Sequence, residues 1–403
     1  MPKAPAPLPL NVLSHADLRG ATPPEGRPTR ARLAILVNII APYRLPIYKA
    51  LTDVFDVAVF YGSQEQTNRN WSGLHAILPE ATVKQSWGLR VGFKKKSQNR
   101  TYDFKFLHLH PGYFVDLVKF RPDAVISNEM GFRTLMALAY GALFGKLVWV
   151  WWGGTKHTER KLGWLRKQVR LFLARCVRHW ISYGHSSTQY LMGLGVKRET
   201  VLQIQNCVEE QRYTTKVCAA FEATPKPVFL TVGQMIGRKG MAELLEVSAR
   251  LVKAGFQFSV VLVGGGPERE ELENTARRLS LDNIQFFSPF PYEAMASVYQ
   301  SADFFIFPTL EDVWGLVVNE ALWSGLPTLC SKYAGCAEEL LPESNIFDPC
   351  DLNDFEQAMI RALSGKIAKA DVSGLKRFQT VSKMIADSVL NQLHASKVCV
   401  SAN

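Results

Sequence analysis

The chain is short of paired cysteines. Its 403 residues carry seven, Cys176, Cys207, Cys218, Cys330, Cys336, Cys350 and Cys399, odd in number and scattered, with no Cys-x-x-Cys among them. That pattern excludes a disulfide framework and offers no metal-ligand set, so a reducing compartment is expected, with thiols serving as small apolar residues. His108-x-His110 lacks a nearby third ligand, and no metal is expected. Also missing is the long apolar core of a secretory signal: Met1 to Arg30 is rich in Pro, Ala and small polar residues and reads as a mobile tail. The almost wholly apolar span from Thr134 to Gly154 is interrupted by Gly145-Lys146 and finishes in LVWVWW. A buried helix followed by a buried parallel strand accounts for both halves better than a membrane span does. Glycine-rich turns occur, but none has the spacing of a dinucleotide fingerprint or a P-loop. Acids are scarce relative to bases, leaving a net charge of +11, with Lys94 to Lys96 as a local patch. That surplus suggests an anionic partner, but no nucleic-acid module accompanies it and nucleic acid is not an expected one.

What is present is globular: 47% hydrophobic and 21% charged residues. The length suits two domains, because single cores stop growing near 250 to 300 residues. Short apolar runs alternate with helical patterns. ARLAILVNI, DVAVFYG, PDAVIS, KLVWVWW and HWISYG are strand-like, and after NCVEEQRYTTK the pattern restarts with KPVFLTVG, FSVVLVGGG, NIQFFS, DFFIFPT and LPTLCS. Strands alternating with helices predict parallel sheets covered on both faces. The expected organisation is a tail over 1–30, a Rossmann-like domain over 31–210, a second over 211–375, and a C-terminal helix within 376–403 that packs back on the first domain. Ligands would bind in the cleft outside the carboxyl ends of the strands.

The stretch TLEDVWGLVVNEALWSGLP, Thr309 to Pro327, places acids around a helix start. DFFIFPT ends a strand and Gly315 opens a helix, so the amides of Gly315, Leu316 and Val317 are first-turn donors suited to an anion. Glu320 lies one to two turns further in, where a carboxylate accepts from the hydroxyls of a diol. Three acids near a helix start ordinarily do no more than cap and solvate it. Two neighbouring segments argue otherwise. VGQMIGRKG sets Gly233 and Gln234 ahead of Arg238 and Lys239, where a diphosphate could be gripped, and VLVGGGPE brings Gly264 and Gly266 to the end of another strand.

From Lys226 to Gly365 these motifs, in this order, resemble the donor half of the GT-B glycosyltransferases of family four, in a bacterial subgroup. The resemblance implies a GT-B fold, two Rossmann-like doubly wound domains facing across a cleft, and sugar transfer from a nucleoside-diphosphate sugar without a metal or other cofactor. In that family two acids stand with seven residues between them, the first meeting the donor sugar and the second the ribose. Counting back from Glu320 gives Asp312 as the first, with Glu311 as runner-up and Trp314 beside them. Lys239 matches the family's phosphate lysine. Gln234 stands where an arginine is usual, so Arg238 would supply the second charge.

The first half resembles the same subgroup through NIIAPYRLPIYKAL, WWGGTKHTERK and NCVEEQRY. The family often carries a reacting-centre histidine here, and His157 is either that residue or a simple loop histidine. Glu129 ends a strand and is placed with Arg44 on the acceptor side, where Arg44 either faces an acidic acceptor or caps a helix. Lys161 to Trp180 is basic and amphipathic: Leu165, Val169, Phe172, Leu173, Cys176, Val177 and Trp180 share a face expected to pack on the sheet, with Arg166, Lys167, Arg170 and Arg178 opposite and available to an anionic membrane surface. The expected activity is retaining transfer to an acceptor hydroxyl on a glycan or lipid-linked acceptor. It would belong to bacterial surface polysaccharide, lipopolysaccharide or lipid-linked glycan assembly, in the cytoplasm or on the inner face of the membrane. A nucleotide-sugar epimerase of the same fold is the alternative enzyme, and a catalytically silent nucleotide-binding protein the non-enzymatic one.

Overall fold

The computed structural model describes residues 30–62, 78–97 and 100–401. The N-terminal segment read as a tail lies outside the described residues. From Ala31 onward the chain forms one compact unit containing two parallel sheets.

In chain order the first half supplies β1 (Arg32–Val37), β2 (Asp56–Tyr61), β3 (Thr82–Gln85), the antiparallel pair β4 (Leu89–Ser97) and β5 (Arg100–Leu109), β6 (Ala124–Asn128), β7 (Leu147–Trp152), β8 (His179–Tyr183) and β9 (Val201–Ile204). Excepting the hairpin, these form a seven-stranded sheet in the order β3-β2-β1-β6-β7-β8-β9. The second half supplies β10 (Val228–Val232), β11 (Ser259–Val263), β12 (Ile284–Phe287), β13 (Phe304–Phe307), β14 (Thr328–Ser331) and β15 (Ile346–Phe347), in the order β12-β11-β10-β13-β14-β15. Every pairing within both sheets is parallel. The central strands are buried along almost their whole length, which is why they read as unbroken apolar runs rather than alternating ones. Thr134 to Gly154 resolves into the helix Phe132–Phe144 and β7. Among the described residues no helix is long and apolar enough to cross a membrane.

Each sheet winds outward in both directions from its first strand. In the first sheet the order reverses between β1 and β6, in the second between β10 and β13. Loops leaving the carboxyl ends of such a pair diverge, and the gap they leave is where a doubly wound sheet binds its ligand. The C-terminal helix Phe378–Ser401 returns to the first half, where Val381, Ile385 and Val389 are fully buried with Ile47, Tyr48 and Leu51 beneath the first sheet.

The basic amphipathic segment differs from expectation. Its helix covers only Trp164–Cys176, and Trp180 belongs to β8. With Trp180 removed from the helical phase, the inward stripe is Arg170, Leu173, Ala174 and Val177. Leu165 is 70% exposed, Phe172 55% and Val169 37%, together with Trp164 at 75%. Arg170, expected on the wet side, turns inward to pair with Glu159 at 3.0 Å and lies over the Trp152 ring.

Candidate active site

At the switch point of the second sheet, β10 leads into the turn Gly237–Lys239, and β13 into the loop preceding the helix Leu316–Trp323. The two segments are tied backbone to backbone. Leu310 N donates to the Arg238 carbonyl at 2.8 Å, and Thr309 Oγ1 donates to the same oxygen at 3.0 Å. Gly240 makes the approach possible: its φ is +68°, and a β-carbon there would stand 1.8 Å from the Pro308 carbonyl oxygen. Held in this way, Lys239 Nζ donates to Asp312 Oδ2 at 2.5 Å, with Arg238 Nη1 3.7 Å from the same oxygen. Trp314 N donates to Asp312 Oδ1 at 3.1 Å. Burial pushes the Asp312 carboxyl up, but Lys239 and Arg238 overcome it and hold the group at about 2, so it stays ionised.

The helix Leu316–Trp323 begins at Gly315, leaving the first-turn amides of Gly315, Leu316 and Val317 without intrahelical partners. One face further along, Glu320 accepts a hydrogen bond from Tyr299 Oη at 2.6 Å. Burial raises its carboxyl to about 7, against the pull of the Tyr299 and Tyr213 hydroxyls. Tyr292, pushed up to about 12 by burial and by Glu320, and Arg212 over its ring complete this pocket of hydroxyls.

Other expected donor residues have different surroundings. The Trp314 side chain is buried in the second core, its indole N–H donating to Asn319 Oδ1 at 2.8 Å, so only its backbone faces the acidic loop. Gly264 and Gly266 serve loop packing: β-carbons there would lie 1.9 Å from Gly233 O and 2.5 Å from Met235 O. The glycine-rich turn therefore lets the segment carrying Gly233 and Gln234 approach β11, which is a different use from the expected approach of a ligand. Gln234 itself is half-buried after β10.

The halves touch through the loop after β7. His157 Nε2 donates to the Leu310 carbonyl at 3.0 Å, and its ring stacks on Tyr333 at 4.3 Å. Burial lowers its pKa below the ordinary imidazole value, which keeps it neutral. Arg160 Nη1 meets Glu311 Oε2 at 2.7 Å. Glu311 is thus drawn toward the first half while its neighbour Asp312 faces the cations. Strand β5 also reaches the Gly237–Lys239 turn.

At the switch point of the first sheet lies a cavity of about 430 Å³, lined by the loops after β1 and β6, by Arg90 and His108 of the hairpin, and by Val313 from the other half. Arg44 is 3% exposed, its guanidinium 4.0 Å from the Trp151 ring and 4.9 Å from that of Tyr183. Arg133, 5% exposed, bonds Asn38 and pairs with Glu129 at 3.2 Å. Burial first, then Arg133, His110 and Arg90, press His108 down to about 4, so it is uncharged. Arg44 and Glu129, both expected on the acceptor side, line one cavity. Sequence reasoning did not select Arg133, Arg90 or Tyr299 and weighed His108 only as a metal ligand, because only the sheet order brings these side chains to the two switch points.

Residues 219–374 match the family model of glycosyl transferases group 1. The sulfoquinovosyl transferase SQD2 of Arabidopsis thaliana is 23% identical over 272 residues, covering 62% of this chain and 51% of the relative. A D-inositol 3-phosphate glycosyltransferase of Corynebacterium kroppenstedtii is 36% identical over 116 residues, 27% of this chain and 26% of the relative. The chain thus spans about half the length, or less, of these curated relatives. Among solved structures, the lipopolysaccharide outer core galactosyltransferase WaaB superposes with a TM-score of 0.63 at 15% identity, over 91% of this chain and 99% of WaaB. Anabaena HepE in complex with UDP gives 0.64 at 14% identity, over 92% and 100%. At such identities the agreement establishes the fold, two Rossmann-like domains in the GT-B arrangement.

Proposed function

We propose that this chain, which belongs to the glycosyl transferases group 1 family through residues 219–374, is a retaining glycosyltransferase that moves a sugar from a nucleoside diphosphate to an acceptor hydroxyl. The observation that carries the reading is the convergence of Lys239 and Arg238 on Asp312 at the mouth of a helix N-terminus, with Glu320 one face away. In the reaction the bond from the anomeric carbon to the diphosphate breaks, its electron pair leaving on the diphosphate. The acceptor oxygen bonds to that carbon, and the acceptor's proton goes to the leaving diphosphate. Negative charge grows on the diphosphate, and two cations and a row of free amides are placed to stabilise it without reorganisation. Asp312 would accept from the sugar hydroxyls, Glu320 from the ribose.

The acceptor would enter at the cavity beside Val313, a neighbour of Asp312. Assembly of a bacterial surface glycan is supported by the resemblance to WaaB. An anionic membrane surface suits the helix Trp164–Cys176, where Trp164, Leu165 and Phe172 stand exposed among Lys161, Arg166 and Lys167. Pelleting with phosphatidylglycerol vesicles should fall sharply in the Trp164→Ser, Phe172→Ser variant, and unchanged pelleting would remove the membrane from the reading.

The primary test is thermal stabilisation by UDP, GDP and ADP and by their sugars. A ligand at 100 times its dissociation constant adds about 2.7 kcal/mol. One nucleotide should stabilise the parent and not Glu320→Ala, while Asp312→Ala should lose only what the sugar adds. If no nucleotide stabilises the parent, the donor-site assignment fails.

A further inference from the structure

The antiparallel ribbon of β4 and β5 holds one aliphatic face out to solvent. Its register sets Leu89 opposite Leu109 and Val91 opposite Leu107. Residues opposite one another, and residues two apart along a strand, project from the same side, so these four aliphatics form one patch. They are 71%, 38%, 58% and 51% exposed, and Trp87, just before β4, is 63% exposed. Between them in the register Arg90 stands opposite His108, and both turn the other way to line the cavity at the first switch point. The ribbon therefore lies over that cavity with its aliphatic side facing away from it. An apolar patch kept in water by a two-stranded ribbon adds nothing to a core, which marks it as a contact surface.

Charge decides what covers it. From Phe93 to Phe106 the sequence of the ribbon carries Lys94, Lys95, Lys96, Arg100 and Lys105 against the single acid Asp103. A second copy of this chain would bring the same excess of bases against itself, and a neutral protein surface would leave that excess unanswered. Across the cavity the same combination recurs on an unrelated element. Arg170 lines the cavity from the helix Trp164–Cys176, whose Trp164, Leu165 and Phe172 are exposed close in sequence to Lys161, Arg166 and Lys167. Aliphatic and indole side chains among bases, on two elements that border one opening, fit an anionic bilayer. There the apolar groups enter the acyl boundary, tryptophan sits at headgroup level and the bases meet lipid phosphates.

We propose that the outer face of the ribbon, Trp87, Leu89, Val91, Leu107 and Leu109, docks on an anionic lipid bilayer, so that the cavity beneath it opens at the membrane. The docking face stands on the ribbon's own register, exposure and charge. Only the meaning of the cavity as the acceptor's entrance rests on the transferase reading. With the ribbon docked, an acceptor carrying a lipid chain presents its polar end at the cavity while the chain stays in the bilayer. Arg90 and His108, on the inner face, remain with the cavity and take no part in the docking.

The test uses the full chain and sedimentation with vesicles of phosphatidylglycerol and phosphatidylcholine in equal parts, against vesicles of phosphatidylcholine alone. The parent should partition about tenfold more strongly to the anionic vesicles. The double variant Leu89→Ser, Leu107→Ser should lower that partition by about tenfold. Leu143→Ser, 68% exposed at the far end of the helix Phe132–Phe144, should leave it unchanged. Neither residue of the double variant lines the cavity, so stabilisation by a nucleoside diphosphate should stay at the parent's level. Pelleting of the double variant equal to the parent's, equal binding to both vesicle types, or no binding by the parent overturns the proposal. So does a parent dimer that the double substitution turns into a monomer in the absence of lipid, which would assign the face to a second copy. Should the double variant fail to fold, vesicles of brominated phosphatidylglycerol decide the matter by fluorescence. The quenched amplitude should be smaller in Trp87→Phe than in the parent, and an equal amplitude refutes docking through this ribbon. Loss of nucleotide stabilisation with vesicle binding intact strikes the transferase reading and leaves the docking face standing.

Discussion

The two switch points solve opposite electrostatic problems. At β10/β13 the cations Arg238 and Lys239 are neutralised internally by Asp312, and the segments bearing them are stitched together by backbone hydrogen bonds. At β1/β6 Arg44 lies on aromatic faces, and among the described residues no carboxylate pairs with it. A site that must receive and release a diphosphate gains from an internal counter-ion that steadies the cations between turnovers. A site that holds its charge unpaired gains selectivity for a partner of opposite charge, because an uncharged competitor leaves the guanidinium unsatisfied. One hairpin touches both, Arg90 and His108 lining the first-half cavity while β5 meets the Gly237–Lys239 turn.

The contrast can be broken most forcefully at Lys239. Replacing it by Ala removes a cation from the leaving diphosphate and leaves Asp312 with only the more distant Arg238; kcat/KM should fall by about 100- to 1,000-fold, the size typical for one preorganised donor. A fall of less than tenfold would mean that the amides at Gly315 to Val317 carry the charge instead. Asp312→Asn comes next. It should abolish the advantage of a nucleotide sugar over the bare nucleotide while leaving the bare nucleotide bound as well or better, since Arg238 and Lys239 lose their internal counter-ion. Weaker binding of the bare nucleotide, measured by calorimetry, would show that the carboxylate positions the cations more than it competes for them.

Glu320 sharpens the comparison through pH. Its folded carboxyl titrates at about 7, above the ordinary 4.5, so the folded state binds more protons than the unfolded one between these values. Stability from this group is therefore present at low pH and lost as pH rises from 4.5 through about 7. Nucleotide affinity should run the other way, rising about tenfold from pH 6 to pH 8 as the ribose acceptor ionises, because a group of pKa about 7 is mostly protonated at the first pH and mostly ionised at the second. In Glu320→Gln that slope should vanish; a slope that persists points to another group. The smallest effect belongs to the contact between the halves. His157→Ala should cost about 1 kcal/mol through the lost bond to Leu310, with KM rising more than kcat falls. A kcat loss of about 100-fold at unchanged stability would make His157 a participant in the chemistry.

Legibility in the sequence is as unequal as the two sites. The donor side carries its information locally: Asp312 and Glu320 share one loop and helix, Arg238 and Lys239 one turn, so period and motif order are enough to set each close to its neighbours. The internal uses of Trp314, Gly264 and Gly266 could not be read, because the atoms they approach, Asn319 apart, are contributed by other segments. The helix Trp164–Cys176 misled for a related reason. Carrying the helical phase on to Trp180 rotated the apparent inward face and hid three exposed apolar side chains.

The sequence by itself determined the alternation of strand and helix, hence two parallel doubly wound sheets, since unbroken apolar runs are stable only when covered on both faces. It also determined the loop and helix start from Thr309 to Glu320, because a strand end, a glycine and an acid at fixed spacing generate their geometry within about two turns of chain. Tertiary structure alone decided what fills the β1/β6 gap and what Arg44 lacks. The order of strands in a sheet is set by packing among distant segments, and a missing counter-charge is visible only once every neighbour is in place.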